Sequence, residues 1–334
     1  MKYSHLLVLA ALLLLSAAAL IWVQSPSAPV LAQEGEGECV DGLCPDWIVE
    51  AWAGSAHADA EAEAFVHWDE EDPAEVPVAC AKCHSESGYL DFLGDDGTAP
   101  GVVDNPAPIG TVVTCTVCHN ATAVTLDSVV FPSGVEMAGV GPSGRCMECH
   151  QGRASMVQVS AAIENAGLGL DESSDALSFV NIHYFAAAAS LFGSEVHGGF
   201  EFEGKAYQPR FEHVAAFDTC AECHSPHSLE VRVEACSTCH VEVATADDLR
   251  AIRMPGSLRD YDGDGDMTEG IADELEGLQE LLYQAIQAYA SDVVGTAILY
   301  DAHTYPYWFV DTNGNGQADE GEVAFPNSYK AFTP

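Results

Sequence analysis

Ten of the twelve cysteines fall into five copies of one pattern: Cys80-Ala-Lys-Cys83-His84, Cys115-Thr-Val-Cys118-His119, Cys146-Met-Glu-Cys149-His150, Cys220-Ala-Glu-Cys223-His224 and Cys236-Ser-Thr-Cys239-His240. Two thiols separated by two residues reach the two vinyl groups on one porphyrin edge. The His after the second thiol then lies under the iron, so the spacing is that of covalent haem c attachment. Zinc sites also use Cys-x-x-Cys pairs, and thioredoxin-like proteins use one pair for dithiol chemistry. Zinc does not require a His fixed after the second Cys in every copy, and dithiol motifs do not come in fives. The ten cysteines are therefore read as attachment points for five haems, with His84, His119, His150, His224 and His240 as proximal iron ligands.

Five irons need at most five further ligands. With His5 in the N-terminal apolar run, seven histidines remain: His57, His67, His183, His197, His213, His227 and His303. Supply exceeds demand, which predicts bis-His coordination throughout. Context favours His57, His67, His183, His213 and His227 as the distal ligands, and leaves His197 and His303 as surface or supporting residues. Saturated irons pass electrons and have no open position for a substrate. Met is the other common sixth ligand and raises the potential. With His in surplus over Met137, Met156, Met254 and Met267, low-potential haems are expected. Which distal His serves which haem is not legible in the sequence.

Local patterns indicate what must position these residues. The Ala- and Glu-rich stretch from Trp52 to Trp68 predicts helix around His57 and His67. Helix-like stretches recur at Met156–Ala166 and Asn181–Leu191, ahead of a turn at Gly198-Gly199-Phe200. The interval between His224 and Cys236 is the shortest between motifs, which makes the fourth and fifth haems neighbours. The haems themselves must supply much of the core.

After His240 the character changes and no Cys follows. Asp260, Asp262, Asp264 and Asp266 alternate around Gly265, as in an EF-hand calcium loop, but the final position, normally a bidentate Glu, is Ile271. A second loop is complete, with Asp311, Asn313, Asn315, Gln317, Asp319 and Glu322 around Gly316. A structural calcium ion is expected; the plainer alternative is an Asx-rich turn without metal. Between the loops, Ile271, Leu275, Leu278, Leu281, Leu282, Ile286 and Tyr289 follow a helical period over 271–290.

Cys39 and Cys44 have no following His and read as a local disulfide across Asp41-Gly42. Lys2, an apolar run from Leu6 to Val23 and the Val30-Leu31-Ala32 segment form an export signal with cleavage after Ala32; an uncleaved anchor is the alternative. Eleven basic residues face 52 acidic ones, a formal net charge of −41. Such a surface repels nucleic acid and anionic lipid and suits neutral or basic redox partners.

With these motifs in hand, the chain resembles the exported multihaem c-type cytochromes. More narrowly, it is similar to a polyhaem family with a calcium-loop-like C-terminal part. The matching stretches are Cys80 to Ser85 with Gly88-Tyr89, Cys146 to Arg153, Ser225-Pro226-His227, the Asp262 to Gly265 loop, and Tyr305 to Phe309. The resemblance implies a mainly α fold with extensive coil and little β, organised around stacked haems. It also implies respiratory electron transfer outside the cytoplasmic membrane, in the periplasm or at the cell surface. Relatives of this kind run on past Phe332-Thr333-Pro334, which makes a fragment one reading of this chain. The expected organisation is a signal peptide over 1–32, a pentahaem domain over 33–247, and a helical region with two EF-hand-like loops over 248–334. Electron transfer is the leading function. The alternatives are a reductase of small nitrogen or sulfur oxyanions with one open haem, and a subunit that self-assembles through haem stacking into an extracellular filament. No motif replaces its His with Lys, the change by which such reductases open an iron.

Overall fold

Several short helices among the described residues end at a glycine, as at Gly94, Gly167 and Gly193. A computed structural model of the protein describes residues 44–322, apart from 170, 171, 173, 175, 211, 216 and 255. The expected leader and Cys39 lie outside the described residues. Those residues fall into two units, 44–50 and 51–322.

Helix α1 (Asp46–Ala53) stops at Gly54. The helix expected to run on through His57 and His67 does not form. Residues 54–62 turn instead, and a single helical turn, α2 (Glu63–Val66), follows. The reason is tertiary. The Trp52 indole donates to the Val113 carbonyl (2.9 Å) and the Val113 amide donates to the His57 carbonyl (3.1 Å), contacts that helix propensity does not sense.

The first motif lies in α3 (Val78–His84), and α4 (Glu86–Leu93) follows directly. Ser85 separates them in an extended conformation, and its Oγ accepts the Gly88 amide at 3.0 Å, capping α4. The two helices cross so closely that a Cβ on Gly88 would stand 2.3 Å from the Ala81 carbonyl oxygen. The other motifs make α5 (Cys115–His119), α6 (Gly144–His150), α9 (Cys220–Cys223) and α10 (Val233–Cys236), with Cys239 in the turn beyond. In α9 the second variable residue of the motif is structural: Glu222 accepts the Thr219 amide (2.9 Å) and closes a capping box.

Between α6 and α9 lie α7 (Met156–Ala166), closed by a Ser155–Gln158 capping box, and α8 (Ala187–Phe192). The helix read over 181–191 begins six residues late. His183 and Phe185 have positive φ (93° and 53°), and the Asn181 side chain accepts the His183 amide. Helix α11 (Ile271–Tyr289) spans the periodic stretch. Its stripe of Leu275, Leu278, Leu281 and Leu282 is exposed.

β-structure among the described residues comprises three antiparallel two-stranded ladders, β1 (Glu75–Val76) with β2 (Ala107–Pro108), β3 (Ser128–Val130) with β4 (Glu136–Ala138), and β5 (Ile298–Tyr300) with β6 (Trp308–Val310), and two isolated bridges, Gly193 to Pro209 and His224 to Val231. The fold is mostly helix and coil, as expected. Apolar burial is divided among small clusters. The largest packs Val129, Phe131 and Met147 against Ala188, Ala189, Phe192 and Val196. Among the described residues no helix is long and apolar enough to cross a membrane.

Candidate haem and cation centres

The motif helices gather around the third. Lys82 in α3 forms an ion pair with Glu148 in α6 at 3.0 Å, and the Gln151 amide donates to the same carboxylate at 3.1 Å. Arg145 at the start of α6 donates to the Cys118 carbonyl at 2.9 Å. Cys83 lies beside Cys149, and Cys146 beside Cys220. The Cys220 amide also donates to Ser143 Oγ at 3.2 Å. The third motif therefore touches the first, second and fourth. The fourth and fifth are joined by a short hairpin, in which the Arg232 amide donates to the Cys223 carbonyl at 2.9 Å. Among the described residues no group of three or more Cys or His side chains converges as a zinc site requires.

Four of the five motif histidines face a second imidazole. His84 faces His183 at 5.8 Å between ring centroids, with the two Nε2 atoms 3.5 Å apart. His119 and His227 stand at 6.2 Å and 8° from parallel. His150 and His57 stand at 6.2 Å and 29°. His240 and His213 stand at 6.2 Å and 37°. Two imidazoles on opposite sides of one metal, with bonds of about 2 Å each, hold their Nε2 atoms about 4 Å apart and their ring centres about 6 Å apart. The centroid spacings of 5.8 to 6.2 Å are near that of two imidazoles sharing one iron.

The rings are also oriented as ligands need. Nδ1 of His84, His150 and His224 lies 2.8, 3.0 and 3.1 Å from the carbonyls of Ala64, Phe185 and Leu229. A carbonyl only accepts, so Nδ1 carries the proton and Nε2 keeps its lone pair. Burial, reinforced by the neighbouring charge of His150, holds the His57 pKa below the usual range. Burial does the same for His84, against the opposing Ala64 carbonyl, and for His183, where Arg153 adds to it. A lowered pKa favours the neutral ring, the form that binds a metal.

The remaining predicted residues lie elsewhere. His67 bonds Glu63 (2.8 Å) and packs edge-on against Trp68, with no motif imidazole opposite it. His197 bonds Glu201 (2.9 Å), and His303 sits in an exposed turn. Cys44 is disulfide-bonded; Cys39, the partner expected from the sequence, lies outside the described residues.

The two acidic loops fold alike. Asp260 accepts the amides of Gly263 and Gly265, as Asp311 accepts those of Gly314 and Gly316. In the first loop two carboxylates missed by the sequence reading join the group. Glu274, on α11, meets Asp260 and Asp262, and Glu269 meets Asp262 and Asp264, each set within 4.8 Å. Glu274 is buried and accepts from Arg253 and from the amides of Tyr261 and Asp262. Glu269 Oε1 is enclosed without a hydrogen-bond partner. Burial, then the charges of Asp264 and Asp262, raise its pKa. Gly277 lets α11 lie against the loop, since a Cβ there would run into the Asp262 carboxylate. The signal for Glu274 was its place one helical turn into the following helix, beyond the twelve-residue pattern. In the second loop the Asn313 and Asn315 amides hold Asp319, and Thr312 holds Glu322.

The chain is similar to two C-type polyheme cytochromes of Geobacter sulfurreducens. It is 26% identical to OmcC over 357 residues, which cover 91% of this chain and 41% of that protein. It is 27% identical to OmcB over 278 residues, covering 75% of this chain and 30% of that protein. The chain thus spans less than half the length of these relatives. No family model matches it. No solved structure matches it either.

Proposed function

We propose that the chain is a multihaem c-type cytochrome that carries electrons through five covalently attached haems outside the cytoplasm, as an exported periplasmic or cell-surface protein. The observation that carries this reading is the pairing of imidazoles. Four Cys-x-x-Cys-His motifs each have their own His opposite a second His, at the spacing of a shared metal. Similarity to two polyhaem cytochromes supports it independently. Such a group supplies reversible one-electron chemistry. The chain holds it by two thioethers, fixes the proximal ring through its Nδ1–H, and keeps the motif helices in contact so that neighbouring centres are close. The strong negative charge favours redox partners with neutral or basic docking faces.

The first loop and α11 are read as a structural calcium site. The enclosed, unpartnered oxygen of Glu269 among other carboxylates supports this, because a hard divalent cation is what such a group of oxygens takes.

Expression in a host that matures c-type cytochromes, with haem counted by the pyridine haemochrome method, tests the main reading. Five haems per chain, mostly low-spin by electron paramagnetic resonance, is the expected result. A chain without covalent haem, or with zinc in its place, overturns it.

A further inference from the structure

The histidine of the fourth motif, His224, differs from the other four. Its proximal side is built in the same way. The residues between the fourth and fifth motifs form a tight hairpin, with a bridge between His224 and Val231 and a bond from the Ser225 amide to the Glu230 carbonyl (2.8 Å). The hairpin presents the Leu229 carbonyl to His224 Nδ1 at 3.1 Å and leaves Nε2 as the metal-facing nitrogen. What is missing is a second imidazole.

Every histidine except His5 is among the described residues, and none has its ring against that of His224. His227, the nearest in sequence, faces His119, and His213 faces His240. His67 is held by Glu63 and Trp68, His197 by Glu201, and the His303 turn by Asp301. His224 itself is exposed.

The geometry points to a ligand-binding haem at Cys220–Cys223–His224, whose distal side takes a small neutral diatomic ligand rather than a histidine of the described residues. The inference rests on the multihaem reading above. Neutral ligands are favoured over anions because a chain of net charge −41 repels negative species on approach. A haem iron with one axial imidazole and an open sixth position is the arrangement that binds carbon monoxide or nitric oxide, whereas an iron held between two imidazoles must first lose one of them.

Carbon monoxide titration of the reduced, fully haem-loaded chain tests this, with haem counted in the same sample. The expected stoichiometry is one carbon monoxide per five haems, together with one high-spin ferric haem per chain that persists across a dilution series. In Cys220→Ala/Cys223→Ala, four haems should remain and carbon monoxide binding should vanish. If that variant fails to mature, the single variants His67→Ala, His197→Ala and His303→Ala serve instead, each expected to leave the stoichiometry at one. Fewer than five haems in the parent chain would sink the multihaem reading itself. Five haems that bind no carbon monoxide, binding that survives loss of the fourth haem, binding gained only when one of the three spare histidines is removed, or a high-spin signal that appears only on dilution would each overturn this inference alone.

Discussion

The rings of His119 and His227 stand 6.2 Å apart and within 8° of parallel, although one lies in the second motif and the other in the hairpin between the fourth and fifth. This relationship ties the second motif to the chain between the last two and, on the multihaem reading proposed above, would make His227 the distal ligand of the second haem. Replacing His227 with Ala should therefore alter the second haem, not the fourth or fifth. One more high-spin haem than in the parent chain is expected, with the total haem content unchanged. Electron paramagnetic resonance with haem quantitation reads both, and an unchanged spin distribution would contradict the pairing.

The Lys82–Glu148 pair joins the first and third motif helices, and both side chains are largely shielded, at 24% and 5% exposure. Lys82 also lies over the Phe92 ring at 4.6 Å. Glu148→Ala leaves a shielded ammonium without its partner and removes one of the two acceptors of the Gln151 side-chain amide, which keeps the Glu148 carbonyl. A loss of about 2–4 kcal/mol is expected from denaturant unfolding of the loaded protein. Glu148→Gln, which keeps the acceptor, should cost less than half of that.

Gly88 sits where α4 crosses α3, and any side chain there meets the Ala81 backbone. Backbone gives way less readily than a flexible side chain. Gly88→Ala should cost about 2–3 kcal/mol in stability and reduce haem incorporation at the first motif. Peptide mapping of haem-bearing fragments would show whether that motif is the one affected.

Glu274 links pH to stability. Burial tends to raise its pKa, but the Arg253 guanidinium and the amides of Tyr261 and Asp262 outweigh burial and hold it below the usual value. A carboxyl with a depressed folded-state pKa stabilises the fold above its unfolded pKa of about 4.3, and that contribution is lost as pH falls through the lower folded value. Thermal melts should show a pH-insensitive advantage of the parent over Glu274→Gln above about pH 5, shrinking as pH drops below about 4. A gap of constant size down to low pH would refute the assignment.

Calcium should be bound more weakly, by about tenfold or more, after Glu269→Gln or Asp262→Asn, since ligand charge sets the affinity of such sites. Isothermal titration on chelator-treated protein measures this. Raising calcium from absence to about a hundred times the dissociation constant should stabilise the parent by about 2.7 kcal/mol and the variants by less. Equal affinities in parent and variants would remove both residues from the ligand set.

Short-range patterns carried through from sequence to structure. Two Cys and a His within five residues set their own helical turn around Cys115–His119 and Gly144–His150, because a turn is decided by neighbours three and four positions away. The acidic loops folded alike for the same reason, each first Asp accepting amides from within its own loop. The period over 271–290 became α11, one residue shorter at its end. Propensity failed where a distant contact intervened: the Trp52 to Trp68 stretch breaks so that His57 can reach His150.

The sequence by itself determined where the five Cys-x-x-Cys-His motifs lie and so, on the multihaem reading, where haem would attach, since that depends on spacing within each motif. Only the tertiary structure decided which imidazole meets which, that His67 meets none, that His224 stands apart, and that Glu274 enters the first loop from the next helix. Those outcomes depend on where whole segments pack, and periodicity, which reports only the face a residue occupies on its own element, contains nothing about the element that will lie across from it.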